Sequence, residues 1–241
     1  MKLWYNKLNV LVLVASMMVS LVEAVPRLSL FNFMGASVLP YTRWNAKPKG
    51  QAYFLLAREA GGRDKGTYDA FGGGRDRGEF HPVQTASREL AEESVFLLGS
   101  QKQLQKHIDV NSGNTRTVVA SVSKRFAVYV TKFHPRSLET LTKRFYSARN
   151  KARKWSSKEK DKLAWVRWSD LEKSIANAPR TNTGQLITPV RVVAHVVQPN
   201  GRKHKESIVL RPVFASSMQS FFKGTHNYIV GKNPKIRFYP Q

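Results

Sequence analysis

Three glutamates, Glu89, Glu92 and Glu93, stand in the run RELAEE from Arg88 to Glu93. On a helix, the i, i+3 and i+4 spacing puts their carboxylates on one face, within a few ångströms of one another. Like charges so placed repel, and a positive group between them relieves the repulsion. Hard divalent cations such as Mg²⁺ or Mn²⁺ take oxygen ligands from carboxylates, backbone carbonyls and water, which makes a metal site the economical reading. Gly72, Gly73 and Gly74 precede the helix, and none has a side chain to keep a backbone carbonyl from the same point. The plainer alternative is a solvated helix face on which Arg88 makes ion pairs worth a few tenths of a kcal/mol each.

The elements that must position these residues can be read from pattern. QAYFLLAR reads as a strand, and YDAFGGG as a strand end opening into a tight turn. From Pro82 the apolar positions Val83, Ala86, Leu90, Val95 and Leu97 or Leu98 recur at helical spacing, with Gly99 as the stop. Downstream, TRTVVASVSKRFAVYVTKF offers two strands, DKLAWVRW a third, and SDLEKSIANA a short helix opened by Ser169. LITPVRVVAHVV and ESIVLRPVF flank QPNGRKHK as a hairpin, and SSMQSFFKG closes the series as a helix. Strands and helices interleave without regular alternation. The expected class is therefore α+β, a sandwich around a mixed sheet rather than a doubly wound parallel one.

The stretch from Gly73 to Phe96 resembles the Nudix box: Gly, five residues, Glu, seven residues, Arg-Glu, an aliphatic residue, any residue, Glu-Glu, any residue, Gly, aliphatic. Here Gly73 is followed by five residues and Glu79, and RELAEE supplies Arg88, Glu89, Leu90, Glu92 and Glu93 in order. Eight residues rather than seven separate Glu79 from Arg88, so the loop around His81 and Pro82 must absorb one. Val95 stands where the family has its later glycine; a branched residue there is expected to continue the helix, with Gly99 as the delayed stop. The resemblance implies a Nudix-like α/β/α sandwich over roughly residues 46 to 175.

It also implies Mg²⁺- or Mn²⁺-dependent hydrolysis of a pyrophosphate bond in a nucleoside diphosphate linked to another group. Glu92 and Glu93 are then the principal metal ligands, with Glu89 a ligand or the water-activating base and the Gly72 carbonyl a further ligand. Arg88 orients the carboxylates, and Glu79 supports the loop or an outer metal. Glu159 or Asp161 is the candidate for the further acidic base that members often draw from a later loop. On this reading, Glu92→Gln or Glu93→Gln lowers activity by orders of magnitude and leaves stability unchanged or slightly raised. The alternative is a module of the same fold that binds nucleic acid or another polyanion without turnover.

Composition sets the outer limits. The chain has 241 residues, 41% of them hydrophobic, enough for one core with a small appendage. Forty basic residues against 16 acidic ones give a net charge of +24, a field that attracts phosphates, nucleic acids and anionic surfaces. The absence of cysteine excludes disulfide scaffolds, thiolate metal sites and cysteine nucleophiles. The six histidines are scattered at spacings that do not suit zinc. From Lys143 to Lys162, nine basic residues face two acidic ones, and Leu141, Phe145, Ala148, Ala152 and Trp155 mark an apolar helical face. Arg149, Arg153 and Lys154 on the cationic face are candidates to bind substrate, RNA or another polyanion, an acidic membrane included; the equal alternative is a solvated helix on a basic protein.

Lys2 and Lys7, the apolar run from Leu8 to Val22 and the small residues Val22 and Ala24 read as a signal peptide, residues 1–24. The run is shorter than the roughly 20 residues that span a bilayer, so a mature chain from Val25, secreted or periplasmic and without a stable membrane span, is expected. The alternative is a membrane tether through this helix. Residues 25–45 read as a linker or N-terminal extension, 46–224 as the Nudix-like domain with a basic helical insertion near 136–162, and 225–241 as a tail.

Overall fold

The computed structural model describes residues 33–43, 52–109, 117–123, 125–134, 137–154, 156–182, 187 and 189–222. The expected signal peptide, its cleavage point, the tail and Trp155 lie outside the described residues. Nine strands form one sheet: β1 (Gly35–Arg43), β2 (Ala52–Glu59), β3 (Tyr68–Asp69), β4 (Phe71–Gly74), β5 (Thr117–Ser123), β6 (Phe126–Lys132), β7 (Lys160–Arg167), β8 (Arg191–Val197) and β9 (Lys203–Val209). Their order is β5-β6-β1-β2-β7-β8-β9, with β3 beside β2 and β4 beside β1. The β1–β6 pair is parallel and the other strand pairs are antiparallel, so the sheet is mixed.

Successive strand residues point to opposite faces, and here both faces are covered. Phe54, Leu56, Ala164 and Val166 pack into one core against α4 (Trp168–Ala176) and α5 (Pro212–Phe222), through Leu171, Ile175, Phe214 and Met218. Their neighbours Leu55, Ala57, Leu163 and Trp165 pack into a second core with Leu90 of α1 (Pro82–Glu93), Leu104 of α2 (Gln101–Ile108) and Phe145 of α3 (Leu138–Lys151). The class is α+β: a mixed sheet between two helical layers. Each buried Leu or Phe contributes roughly 1.5–3 kcal/mol, which fixes α1 to the sheet through its apolar face and leaves the other for chemistry.

Three local expectations change. Residues 35–43, expected within a linker or extension, form β1, which pairs with β2, β4 and β6. The basic helix ends at Lys151 with Ala152 extended, so Arg153 and Lys154 lie beyond it, and β7 begins at Lys160. Trp168 already belongs to α4, whose N-cap is Arg167, so Ser169 does not open that helix.

The α1 terminus also departs from expectation. The helix ends at Glu93, and Val95 does not continue it: its φ is 54°. The Phe96 N–H donates to the Ala91 carbonyl at 2.6 Å and the Val95 N–H to the Glu92 carbonyl at 3.0 Å. This is a Schellman ending, and Val95 takes the left-handed position where helices usually place glycine. A β-branched residue is strained there. We therefore expect Val95→Gly to leave α1 in place and raise the melting temperature, relief of strain worth roughly 1–2 kcal/mol outweighing the half-buried side chain lost. A fall of several degrees would show that Val95 packing dominates.

Candidate active site

Three elements meet at the carboxylate face of α1: the glycine strand β4, the loop Arg75–His81, and the start of β7. The loop closes by its own bonds. The Asp76 N–H donates to Glu79 Oε2 at 2.9 Å, the Arg75 Nε–H donates to the Glu79 carbonyl at 2.6 Å, and Thr85 Oγ1 donates to Glu79 Oε2. Pro82 opens α1, and the Gln84 side chain accepts from the His81 N–H at 2.9 Å. The additional loop residue therefore does not carry Glu79 away: the Arg88 Nε–H donates to Glu79 Oε1 at 2.9 Å. Burial alone raises the Glu79 carboxyl, but the hydrogen bonds from Arg88, Thr85 and Asp76 outweigh it and hold the group below its ordinary value.

Arg88 is the hub. Besides Glu79, it donates to Glu89 Oε1 at 2.8 Å and to the Gly74 carbonyl at 2.8 Å, and it lies 3.6 Å from Glu92 Oε2 and 3.2 Å from Asp76 Oδ2. One planar fork thus ties the loop, β4 and two of the three helical carboxylates together.

The glycines fit this closeness. A Cβ on Gly72 would lie 2.6 Å from Ser37 Cα and 2.7 Å from the Ala36 carbonyl oxygen, while one on Gly73 would meet the Glu89 carboxylate. The Gly72 N–H donates to Glu93 Oε2 at 2.8 Å, so Gly72 turns its polar groups away from β1. In an antiparallel strand a residue's N–H and C=O point the same way, which places the Gly72 carbonyl on the α1 side.

The three helical carboxylates have different surroundings. Glu92 is partly exposed at the mouth. Burial raises Glu89 to about 7; Arg88 opposes the rise, and Glu159 and Glu92 add to it. Glu93 is 2% exposed and has both oxygens engaged, Oε2 by Gly72 and Oε1 by Lys160 Nζ at 3.2 Å. Lys160, fully buried at the start of β7, also pairs with Glu59. Burial alone would lower the Lys160 ammonium, but Glu93, Asp69 and Glu59 together raise it and keep it charged. Arg211 continues the chain of charges, 3.0 Å from Asp69 Oδ2, 2.8 Å from Asp64 Oδ2 and 3.7 Å from Glu59 Oε1.

Glu93 is thus a partner of a buried cation, so Glu93→Gln bears on the fold as well as on activity. Lys160, Glu59, Asp69 and Arg211 were not singled out from sequence. Of the two later acids, Glu159 lies in the field of Glu89 and Glu92 and is raised by burial, whereas Asp161 is held by Arg58 at 2.8 and 3.0 Å. Arg149 is not presented as a free cation: it donates to the Lys160 carbonyl at 2.6 Å and to the Lys158 carbonyl at 3.1 Å. Arg153 and Lys154 are exposed.

Glu89, Glu92, Glu159 and the Gly72 carbonyl are all hard oxygen donors. That chemistry fits Mg²⁺ or Mn²⁺. As the side chains stand, turned toward Arg88 and Lys160, the described residues contain no group of three or more His, Cys, Asp or Glu gathered to hold a metal. Among the described residues, too, no helix is long and apolar enough to cross a membrane.

No family model and no curated protein matches the chain. Among solved structures it is similar to the NUDIX domain of Shewanella oneidensis NrtR complexed with ADP ribose, at 12% identity and a TM-score of 0.31, covering 64% of this chain and 84% of that one. A likeness at that score carries no functional argument, and the site's own geometry must supply it.

Proposed function

We propose that the chain is a Nudix-type pyrophosphohydrolase, cleaving the pyrophosphate bond of a nucleoside diphosphate linked to another group by water attack on a phosphoryl group. The observation that carries this reading is the Arg88 fork, which joins Glu79, Glu89 and the Gly74 carbonyl beside Glu92, with Glu93 bonded to Gly72 on the same glycine strand. Glu89, Glu92 and the Gly72 carbonyl would hold Mg²⁺ or Mn²⁺ at the mouth. When bound, such an ion clamps phosphoryl oxygens and lowers the pKa of water.

The chain's own groups do the rest. Arg88 holds the Glu89 and Glu79 carboxylates in one geometry, so little reorientation is needed at the moment of reaction. Glu159, whose carboxyl is raised by burial, is the candidate to accept the proton of the attacking water; Glu89 takes that role only where it is not spent on the ion. Glu93, tied to Gly72 and Lys160, fixes β4 against α1 and presents the Gly72 carbonyl. Its role is to position, and Lys160 supplies the buried positive charge on its inner side.

The testing experiment is product release from capped RNA, dinucleoside polyphosphates, nucleotide sugars and nucleoside triphosphates, with Mg²⁺, with Mn²⁺ and with EDTA. Metal-dependent release from one class, abolished by EDTA, is the expected result. A second reading draws on Lys160: an internal ammonium already neutralises the innermost carboxylates, as suits a module that binds a polyanion without turnover. No release from any class with either metal would favour that reading.

A further inference from the structure

The sheet face that carries α1 and α3 continues past them over β7, β8 and β9. On it, Trp165 pairs with His195 and His195 with Lys205, while Val193 pairs with Ser207. Directly paired residues share a face, so these side chains floor one surface. Beside them opens a cleft of about 360 Å³, walled by Arg167, Asp170, Lys173, Arg191, His195 and Lys205. Four permanent cations there face one carboxylate. Val193 is 48% exposed, so no described element covers this stretch of the sheet.

The cleft also has an excess of donors. Arg167 Nε is buried and makes no hydrogen bond; its nearest carboxylate oxygen, Asp170 Oδ2, is 4.0 Å away. Buried N–H groups are nearly always paired, so this one, in the wall of the cleft, marks a place that wants an acceptor from outside. Burial, with Arg167 and Lys205 beside it, lowers the His195 imidazole and keeps it neutral, able to donate through one ring nitrogen. The carboxylate site lies at the other end of β7: from Lys160 to Arg167 the strand runs roughly 23 Å.

We infer that this cleft is a second ligand site, one that binds a phosphate group carried by a ligand, through Arg167, Lys205 and Arg191. The inference does not depend on the hydrolase reading, because neither metal nor turnover enters it. Guanidinium groups match phosphate oxygens in geometry as well as charge. The volume falls within the range of small-ligand clefts, and the open side admits a chain that continues beyond it. Two sources can supply the phosphate: a small phosphate ester or anhydride, or the backbone of a single-stranded nucleic acid.

Calorimetric titration of the full chain with inorganic pyrophosphate and with a twelve-residue oligothymidylate, both in EDTA, distinguishes them. Without a divalent cation the carboxylate face repels anions, so binding reports on the cleft. The expected result is one pyrophosphate per chain, weakened at least tenfold in the Arg167→Gln/Lys205→Gln variant, with melting alongside to show that it folds. Lys173→Gln/Arg191→Gln, which changes two exposed side chains, serves if the first pair unfolds. If the oligonucleotide is weakened as well, and the slope of log affinity against log salt falls by about 1.4 units for the two charges removed, the phosphodiester backbone is the source. Weakening confined to pyrophosphate assigns a small ligand. Wild type that binds neither probe, or folded variants that bind both as wild type does, would overturn the inference.

Discussion

Glu92→Gln is expected to lower the proposed Mg²⁺-dependent hydrolysis by roughly 10²–10³-fold, the rate equivalent of several kcal/mol of phosphoryl charge stabilisation, while the melting temperature is expected to stay within about 2 °C of wild type. The two halves of this expectation have separate causes. Glu92 stands at the mouth of the site, its side chain 22% exposed, and its nearest cation is Arg88 Nη1 at 3.6 Å. Gln keeps length and helix propensity and removes one charge from an oxygen-donor set. What the fold loses is an i, i+4 pair worth a few tenths of a kcal/mol, partly offset by relief of repulsion from Glu89 and Glu159. Glu93→Gln is not an equivalent test, because it also strips a buried lysine of a partner. Kinetics with Mg²⁺ and a melting curve on Glu92→Gln separate the cases, and full activity in a folded variant would remove Glu92 from the site.

Lys160→Met is expected to cost about 3–5 kcal/mol of stability, the usual consequence of deleting one member of a buried charge set. For a chain of this size that corresponds to roughly 6–20 °C in melting temperature. Nζ lies against Glu59 and 3.2 Å from Glu93, and Asp69 adds to the negative field around it. Removing the ammonium leaves Glu93, 2% exposed, without its counter-charge, and leaves Glu59 with Arg211 alone at 3.7 Å. Neutralising one of them should recover part of the loss. The double variant Lys160→Met/Glu93→Gln is therefore expected to melt above Lys160→Met alone, the non-additivity that contacting residues show. A single variant that melts within a degree of wild type would mean that the carboxylates simply take up protons and that Lys160 adds nothing.

What could be read in the sequence was local. RELAEE announced a helix with a carboxylate face because three residues within five positions carry that information, and FGGG before it announced close backbone approach. The strands on either side showed through their runs of aliphatic and aromatic residues. β1 did not, because SVLPY contains Pro40, which normally argues against an interior strand. In the fold, β4 pairs with β1 only as far as Val38 and β2 only from Tyr41, so Pro40 falls in the interval between two neighbours that share one edge. Val95 misled for a related reason: a branched residue reads as helix continuation, and only the bonds that close the α1 terminus require its left-handed backbone. Lys160 was invisible within KEKDKLAW, where every lysine looks solvated. Its burial follows from Glu59, 101 residues earlier, and Glu93 arriving at the same point.

Arg149 has a bearing beyond its missing role as a surface cation. By donating to the carbonyls of Lys158 and Lys160, it brackets Glu159 from both sides. The segment that offers this carboxylate therefore cannot swing outward unless the last turn of α3 frays with it, and the two behave as one cooperative opening unit. In amide hydrogen exchange, such a unit gives the connection before β7 the slow protection of a packed helix rather than the fast exchange of a surface loop.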